Sequence, residues 1–194
     1  MNKKVLIITG GTRGIGKKII ENFLNKNFII FYLYKSKPLK LPKYNNKLFG
    51  YKIDLEDPSK IKNFSHFIKK KIKKIDVLIN NAGDVLQRAS FTNCDLNLFT
   101  RTINLNLLSP IMLTKELIPL LLKSKNPVVI NMSSIASRTG GTPNSIHYGV
   151  AKAGLNTFTK AISNYNKKLR VVGIAPSIVD TDFQKKHSTK ERIK

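Results

Sequence analysis

The sequence predicts a doubly wound α/β fold, in which helices cover both faces of a parallel sheet. Short apolar runs rich in Val, Ile and Phe alternate along the chain with segments of helical apolar spacing. The strand segments are apolar without a break, a pattern typical of parallel strands buried between two helical layers. We see no internal repeat, low-complexity tract or second domain, so we expect one domain over residues 1–194.

Six strands are predicted, each a short run dominated by apolar residues. They cover residues 4–9, 28–34, 48–53, 77–80, 128–132 and 170–175. Four helical segments lie among them, at 14–25, 58–72, 95–123 and 144–165. Pro58 is placed in the first turn of the second helix, where a missing amide proton costs no hydrogen bond. Pro110 and Pro119 predict a bend or an interruption in the third helical segment.

The chain is strongly basic, with 35 Lys and Arg against 11 Asp and Glu among 194 residues and a formal net charge of +24. Such a charge invites a nucleic-acid interpretation, because clustered cations release counterions from phosphates. Only six of the 35 basic residues are Arg, which leaves 29 Lys scattered through all segments. Because Arg normally makes the bidentate base and phosphate contacts, we do not expect nucleic acid to be the main partner.

Cysteine content, hydropathy and histidine spacing exclude several further classes of protein. The single Cys94 rules out a disulfide scaffold or a Cys-built metal cage and fits a reducing compartment. The longest apolar run, 28–34, is far below the roughly 20 residues that span a bilayer. His66, His147 and His187 have no ligand spacing with carboxylates or Cys94. We therefore expect a soluble, cytoplasmic protein without a membrane segment or a metal site.

A glycine-rich segment, Thr9–Gly16, lies between the first predicted strand and the first predicted helix. Glycine lets the backbone turn tightly and approach a pyrophosphate, while the helix N-terminus offers free amide protons and a positive dipole. The G-x-x-x-G-x-G spacing differs from the G-x-G-x-x-G fingerprint and lacks the Gly-Lys-Ser/Thr ending of an NTP-binding loop. The prediction is a dinucleotide site, with a glycine-rich turn that binds no ligand as the alternative.

The residues after the second strand bear on which dinucleotide is bound. NAD-selective sites place Asp or Glu here to bind the ribose 2′-hydroxyl. This chain has Tyr34-Lys35-Ser36-Lys37 and no acid, while Arg13 lies inside the glycine-rich loop. Arg13 and Lys35 together could clamp a 2′-phosphate, so NADP(H) is preferred and NAD(H) is the alternative cofactor. Lys35 could also be one more surface lysine.

Tyr148 and Lys152 are spaced i, i+4 on a predicted helix, so their side chains share one face. A Lys ammonium beside a phenol favours the phenolate, and lowering the Tyr pKa from about 10 to about 7 takes roughly 4 kcal/mol. Such a Tyr exchanges a proton with a carbonyl or alcohol oxygen near neutral pH. Ser134 follows the fifth strand, where its hydroxyl could polarise the same oxygen. A solvated Tyr/Lys pair is the alternative.

Together these residues resemble the short-chain dehydrogenase/reductase family, in the family's order and over nearly the whole chain. The matching segments are Thr9–Gly16, Asp54, Asn80–Gly83, Asn106, Ser134, Tyr148–Lys152 and Pro176–Thr181. Within the family, the chain is similar to the 3-oxoacyl-(acyl-carrier-protein) reductases through Asn80–Gly83, Asn106-Leu107 and Tyr148–Gly154. The resemblance implies a Rossmann-type sheet of about six strands, without the family's usual seventh.

The resemblance implies four catalytic residues. Tyr148 would be the general acid/base, Lys152 would lower its pKa and bind the nicotinamide ribose, and Ser134 would orient the substrate carbonyl. Asn106 would hold the water that links Lys152 to solvent; its alternative is a polar helix residue without that role. Ser133 is the neighbouring candidate, and Ser134 is preferred because it fits the family's distance to Tyr148.

The resemblance also implies a set of cofactor-binding residues. They are Gly10, Thr12, Arg13, Gly14, Ile15, Gly16, Lys35, Asp54, Leu55, Asn81, Ala82, Gly83, Tyr148, Lys152, Pro176, Ile178 and Thr181. Asp54 would meet the adenine or, alternatively, cap the following helix. Asn81 and Gly83 would line the adenosine side, although Asn81 could instead cap a strand end. Thr181 would bind the nicotinamide carboxamide.

Two departures from the family pattern concern the last part of the chain. Pro176 is followed by Ser177 where the family usually has Gly, and a left-handed backbone there would cost Ser roughly 1–2 kcal/mol. The chain stops at Lys194, before the segment that supplies much of the family's lid and its seventh strand. We expect a homodimer through the helices at 95–123 and 144–165.

The activity that the resemblance implies is the NADPH-dependent reduction of a ketone to a secondary alcohol. A 3-oxoacyl thioester is the expected substrate class, as a small molecule or bound to an acyl carrier. Two alternatives stay open. One is a family member that acts on another small ketone or alcohol, and the other is a truncated, non-catalytic partner that binds cofactor or dimerises.

Overall fold

The computed structural model describes residues 3–44 and 46–181, which form a six-stranded sheet. The strands are β1 (Lys4–Thr9), β2 (Phe28–Tyr34), β3 (Leu48–Lys52), β4 (Val77–Asn80), β5 (Val128–Met132) and β6 (Arg170–Ile174). All five pairings are parallel, in the order β3-β2-β1-β4-β5-β6. The predicted doubly wound α/β fold is confirmed, and every predicted strand lies within one residue of its observed bounds.

Six α-helices occur in the described part of the chain. They are α1 (Gly14–Leu24), α2 (Ile61–Lys71), α3 (Leu96–Ile103), α4 (Ser109–Leu121), α5 (Ala136–Thr139) and α6 (Ile146–Ser163). A 3₁₀ turn, Pro58–Lys60, precedes α2 and is capped by the Asp57 carboxylate, which accepts a hydrogen bond from the Ser59 amide. None of the described helices combines the length and the apolar character needed to cross a membrane.

Two apolar clusters lie on opposite faces of the sheet. Successive residues of a strand point to opposite faces, and β1 accordingly sends Val5 and Ile7 into one cluster and Leu6 and Ile8 into the other. The first cluster is covered by α2 and α4, and the second by α1. The burial of each large aliphatic side chain contributes about 1.5–3 kcal/mol, so both faces of β1 stabilise the fold.

A π-helical turn, Asn104–Leu108, joins α3 to α4 and accounts for the predicted interruption of the third helical segment. Pro110 lies in the first turn of α4, just after the π turn, whereas Pro119 lies inside α4. A π turn contains one residue more per turn than an α-helix and is found frequently at functional sites. Here the π turn carries Asn106, whose side chain is completely buried and lies next to Gly83.

A row of buried polar side chains links α4, β4, β5 and α6. The Asn80 amide donates to the Thr114 hydroxyl at 3.1 Å and to Asn131 Oδ1 at 2.8 Å. The Asn131 amide donates to the Thr159 hydroxyl at 2.9 Å, which in turn donates to the Leu155 carbonyl at 2.7 Å. Because buried polar groups without partners are costly, this row holds α6 in one register against the sheet.

The strand order reverses between β1 and β4. From β1 the chain passes through α1 to β2, on one side of the pair, and from β4 it passes through α3 and α4 to β5, on the other side. Loops that leave two neighbouring strands in opposite directions open a crevice at the carboxyl ends of the strands, where α/β proteins bind ligands. The fold therefore sets the position of a site between Thr9 and Asn81.

Candidate active site

A cleft of about 870 Å³ opens at this edge of the sheet, and the loops after all six strands contribute to its walls. The predicted site residues that line it are Gly10, Thr12, Arg13, Gly14, Ile15, Gly16, Lys35, Asp54, Leu55, Asn81, Ala82, Gly83, Ser134, Tyr148, Lys152, Pro176 and Thr181. Two predicted residues lie outside the lining. Asn106 is buried behind Gly83, and Ile178 is exposed.

The glycine-rich loop has the backbone geometry of an anion site. Gly10 and Gly14 have φ of +66° and +51°, in the left-handed region that favours glycine. A Cβ atom on Gly16 would lie 2.2 Å from the Gly10 carbonyl oxygen, so the loop closes on itself only with glycine at this position. Arg13, at the N-cap of α1, supplies no side-chain hydrogen bond to the first turn. The residues present thus fit a phosphate group, which such helix amides bind.

Asn81 ties the carboxyl ends of β1 and β4 together. Its side-chain amide donates to the carbonyl oxygens of Thr9 and Gly10, both at 3.0 Å. The Thr9 hydroxyl accepts from the backbone amides of Asn81 and Ala82, at 3.0 and 2.8 Å. The strand-end role considered for Asn81 is therefore observed, and the same residue also lines the cleft.

Ser134, Tyr148 and Lys152 meet in the cleft where the loop after β5 lies against α6. The Ser134 side chain is hydrogen bonded to Tyr148. The Lys152 ammonium donates to the Met132 carbonyl at 2.8 Å and lies 5.6 Å from the centroid of the Tyr148 ring. Ser133 instead points to the backbone of α6, where its hydroxyl donates to the Lys152 carbonyl at 3.4 Å. Ser134, not Ser133, is thus the serine beside the tyrosine.

Burial controls the protonation of the tyrosine and the lysine. It raises the pKa of Tyr148 to about 12, with the Ser134 hydrogen bond acting in the opposite direction and the Asp84 carboxylate in the same one. Burial also lowers the pKa of Lys152 to about 8. The sequence led us to expect a lowered Tyr148 pKa, and the structure differs because desolvation of the phenol outweighs every attraction to the phenolate. Without ligand, a neutral phenol therefore faces a cationic amine at pH 7.

Asn106 and Lys152 approach each other behind Gly83. The Asn106 amide nitrogen donates to the carbonyl oxygens of Asp84, at 2.8 Å, and Thr102, at 3.0 Å. Its Oδ1 atom is buried and accepts no hydrogen bond from the described residues. A Cβ atom on Gly83 would lie 2.7 Å from this oxygen and 3.0 Å from the Lys152 ammonium. The absence of a side chain at Gly83 thus leaves space beside Asn106 Oδ1 and the Lys152 ammonium. One water molecule in this space can bridge the two groups.

A network of charged side chains forms the wall of the cleft after β2 and β3. Lys35 pairs with Asp54 at 3.0 Å and, at short distance, with Glu56. The Arg101 guanidinium donates to the other Glu56 oxygen at 2.7 Å. Burial disfavours the Asp54 carboxylate, but the Glu56 amide and the Lys35 ammonium outweigh it and lower the Asp54 pKa. Asp54 does not cap the following helical turn, which Asp57 does.

The site predicted from the sequence did not include Glu56, Arg101 or the segment Asp84–Gln87. Of these residues, all but Val85 line the cleft. Asp84 also pairs with Arg13 of the glycine-rich loop at 3.7 Å. Arg101 lies on α3, far in sequence from the other charges, so no local pattern indicates it. The segment Asp84–Gln87 directly follows Asn80–Gly83 at the carboxyl edge, and this position was a usable signal.

Two further expectations concern strain and metals. The non-glycine residues with left-handed φ in the described ranges are Asn27 and Leu86, so Ser177 adopts its conformation without the cost considered above. Among the described residues, no group of three or more His, Cys, Asp or Glu is placed to hold a metal ion. His187 lies outside the described residues.

Comparison with known proteins identifies the family. The family model for short chain dehydrogenases matches residues 4–192. This chain belongs to the short-chain dehydrogenase/reductase family, and its fold and cleft are those of an oxidoreductase of that family.

Similar proteins of the family bear different names. The chain is 32% identical over 198 residues to the 3-oxoacyl-(acyl-carrier-protein) reductase FabG of Buchnera aphidicola, a match that covers 99% of this chain and 80% of that one. It is 28% identical to a 3alpha-hydroxysteroid dehydrogenase of Mediterraneibacter gnavus, over 94% of this chain and 76% of the relative. The aldohexose dehydrogenase of Thermoplasma acidophilum, in ligand-free form, superposes with a TM-score of 0.86 at 28% identity, over 99% and 75% of the two chains.

The buried Lys152 makes stability depend on pH in a way that one substitution tests. Its pKa falls from 10.5 to about 8 on folding, so the folded state gains stability as pH rises from about 8 to about 10.5, by roughly 3 kcal/mol. We expect the unfolding free energy of the wild type to rise relative to that of Lys152→Met by up to this amount over that interval. Urea unfolding followed by circular dichroism measures it. The unfolding free energy of Lys70→Met, at an exposed lysine, should depend on pH as that of the wild type does. If the unfolding free energies of the wild type and Lys152→Met differ by the same amount at every pH, the effect of burial on Lys152 is contradicted.

Proposed function

We propose that this chain is an NADP(H)-dependent reductase that converts a ketone to a secondary alcohol, with cofactor and catalytic residues in one domain. The observation that supports the proposal is a single cleft lined both by the glycine-rich loop and by Ser134, Tyr148 and Lys152. A cytoplasmic location belongs to the same proposal and is supported by the unpaired Cys94.

The chain's own residues would move the proton that the reduction of a carbonyl requires. When bound, a nicotinamide coenzyme supplies the hydride to the carbonyl carbon. Tyr148 is protonated at neutral pH, because burial raises its pKa to about 12, and so serves as the acid that protonates the carbonyl oxygen. Ser134 donates a hydrogen bond to the same oxygen, since its hydroxyl already lies at the Tyr148 side chain.

Lys152 and Asn106 support the proton transfer. Lys152 is cationic below its pKa of about 8, and its charge stabilises the phenolate that remains when Tyr148 has lost its proton. Asn106 Oδ1 accepts from a water that reaches the Lys152 ammonium behind Gly83. The two residues thereby return a proton to Tyr148 from solvent.

The preference for NADP(H) rests on the cations near the glycine-rich loop. Lys35 occupies the position after β2, and no Asp or Glu stands between Tyr34 and Lys37. The Arg13 side chain is 58% exposed and its pair with Asp84 is loose, at 3.7 Å, so the guanidinium is free to turn toward a 2′-phosphate. The carboxylates of Asp54 and Glu56 hold the Lys35 ammonium at the cleft wall.

Removal of the two cations tests the cofactor preference. Arg13→Met and Lys35→Met should each weaken NADPH binding by about 10- to 100-fold, the worth of one charge-assisted hydrogen bond. NADH binding should change by less than about threefold, because NADH has no 2′-phosphate. Fluorescence titration gives both dissociation constants, with the exposed Lys40→Met as the matched control. Equal losses for NADPH and NADH would show that the cations do not read the 2′-phosphate.

For the substrate class we favour a 3-oxoacyl thioester. The FabG relative at 32% identity supports this choice. The steroid and aldohexose dehydrogenases at 28% identity support the alternative, a different small ketone or alcohol. The proton-transfer residues are shared by both possibilities, so the distinction lies in the residues that line the cleft beside Tyr148.

Loss of the Tyr148 hydroxyl tests the chemistry. Tyr148→Phe should lower kcat/KM for NADPH oxidation with a short 3-oxoacyl thioester by about 10²- to 10⁴-fold, the usual contribution of a general acid. NADPH affinity should stay within about threefold of the wild type, because the glycine-rich loop is intact. Loss of absorbance follows turnover, and Tyr165→Phe, at a tyrosine with 62% exposure, is the control. NADPH binding without turnover of any ketone would identify a non-catalytic family member.

We include a homodimer in the proposal. Exposed apolar side chains lie on two elements within the segments expected to form the dimer: Val150 on α6, which is 47% exposed, and Leu108 in the π turn, which is 39% exposed. The π turn packs against α6, so the two side chains can share one interface.

A charge in this interface should prevent association. Val150→Glu should sediment as a monomer at concentrations where the wild type is a dimer, because dimerisation would bury an unpaired carboxylate. Phe49→Glu, at an exposed aromatic residue on the edge strand β3, should remain dimeric. Analytical ultracentrifugation decides, and a monomeric wild type would refute the proposed assembly.

A further inference from the structure

A strained turn lines the cleft in the loop that follows β4. The Gln87 amide donates to the Val85 carbonyl at 2.8 Å, and Leu86 between them has φ of +64°. An i→i+2 hydrogen bond around a residue of positive φ defines a γ-turn of the rare, strained kind. Leucine has no local means of stabilising this conformation, and such strain persists only where the surrounding structure enforces it.

His147 provides the contacts that enforce the turn. Its imidazole is 1% exposed, and Nε2 lies 3.1 Å from the carbonyl oxygens of both Val85 and Gln87, the two residues that flank Leu86. Both neighbours are acceptors, so Nε2 carries the proton and donates to them. One side chain therefore clamps both ends of the turn.

Other hydrogen bonds join the same segment to the catalytic elements. The Leu86 amide donates to Asp84 Oδ1 at 3.0 Å, and Asn106 donates to the Asp84 carbonyl. The Ala89 amide donates to the Asn144 carbonyl at 3.1 Å, just before α6. The segment is thus attached to the π turn at one end and to the start of α6 at the other.

The position of the turn gives it a role in substrate choice. Leu86 and Gln87 line the same cleft as Ser134 and Tyr148, and Val85 is buried beneath them. His147 directly precedes Tyr148 on α6, so the residue that clamps the turn and the proposed proton donor move together. A shift of the turn changes the space for a substrate beside Tyr148 without changing the glycine-rich loop.

We propose that His147 is a positioning residue that holds the strained Val85–Gln87 turn against α6, the helix that carries Tyr148. We propose further that this turn selects the carbonyl substrate. The selection of substrate rests on the proposed reductase function; the clamping of the turn does not. The two parts are therefore measured separately.

Hydrogen exchange tests the clamp without any turnover. His147→Leu removes the donor at similar size, and amide exchange in the peptide covering 84–88 should speed up by at least about tenfold, since the imidazole no longer holds the two carbonyls together. His147→Gln retains a side-chain N–H donor and should recover most of the protection. NADPH affinity should stay within about threefold in both variants. Unchanged exchange in a folded His147→Leu protein would overturn the clamp.

Steady-state kinetics tests the selection. His147→Leu should raise KM for a short 3-oxoacyl thioester by about tenfold and reduce the ratio of kcat/KM between this thioester and a bulkier, branched one, with kcat changed less than threefold. Leu86→Gly removes the strain, because glycine adopts positive φ freely, so His147→Leu should have a much smaller effect on exchange in that background. A uniform loss of active protein with KM and discrimination unchanged would show a structural role only.

Two outcomes separate failure of this proposal from failure of the function. A wild type that reduces no ketone refutes the reductase function and the selection with it, while the exchange measurements still decide the clamp. If His147→Leu does not fold, Leu86→Gly alone decides the selection: discrimination between ketones should relax, and unaltered discrimination would overturn it.

Discussion

The seam between β1 and β4 is the constraint on which the site depends. At this seam the strand order reverses, and two loops leave in opposite directions. Without a tie the carboxyl ends would splay, because their continuations share no further ladder hydrogen bonds. Asn81 and Thr9 supply that tie through four hydrogen bonds between the two chain ends. The tie fixes the glycine-rich loop with respect to Asn81–Gly83, and hence the width of the crevice.

The part of the cleft around Ser134, Tyr148 and Lys152 is organised by desolvation. Lys152 is buried and Tyr148 is largely withdrawn from water, and desolvation favours the neutral form of each, so their pKa values move apart, to about 8 and about 12. A proton donor that keeps its proton until a substrate oxygen arrives is suited to reduction. The loss of hydration of the Lys152 ammonium is partly offset by its hydrogen bond to the Met132 carbonyl.

The features that the sequence predicted depend on contacts between residues close in the chain. The features that it did not predict depend on contacts between distant segments. β1 and α1 have local signals, namely an apolar run and helical spacing, and both were confirmed. The glycines at the end of β1 predicted a tight turn, which is observed, and a dinucleotide site, which stays a prediction. The Lys35–Glu56–Arg101 network depends on contacts between β2, β3 and α3, so no local pattern shows it. The raised Tyr148 pKa depends on burial by distant segments. The i, i+4 spacing showed correctly that Tyr148 and Lys152 are neighbours, but not how much water each one keeps.

The polar row from Thr114 through Asn80 and Asn131 to Thr159 has a consequence for how this protein can change. Each side chain in the row is hydrogen bonded to its neighbour. Replacement of one member by an apolar residue therefore leaves a buried polar group without a partner, which lowers the free energy of unfolding by roughly 1–3 kcal/mol. Replacement of two adjacent members together removes donor and acceptor at once and avoids much of that penalty. Substitutions in the row are therefore strongly epistatic. An evolving chain would have to change neighbouring members nearly simultaneously, and single steps through the row would be selected against even where the end point is as stable as the start.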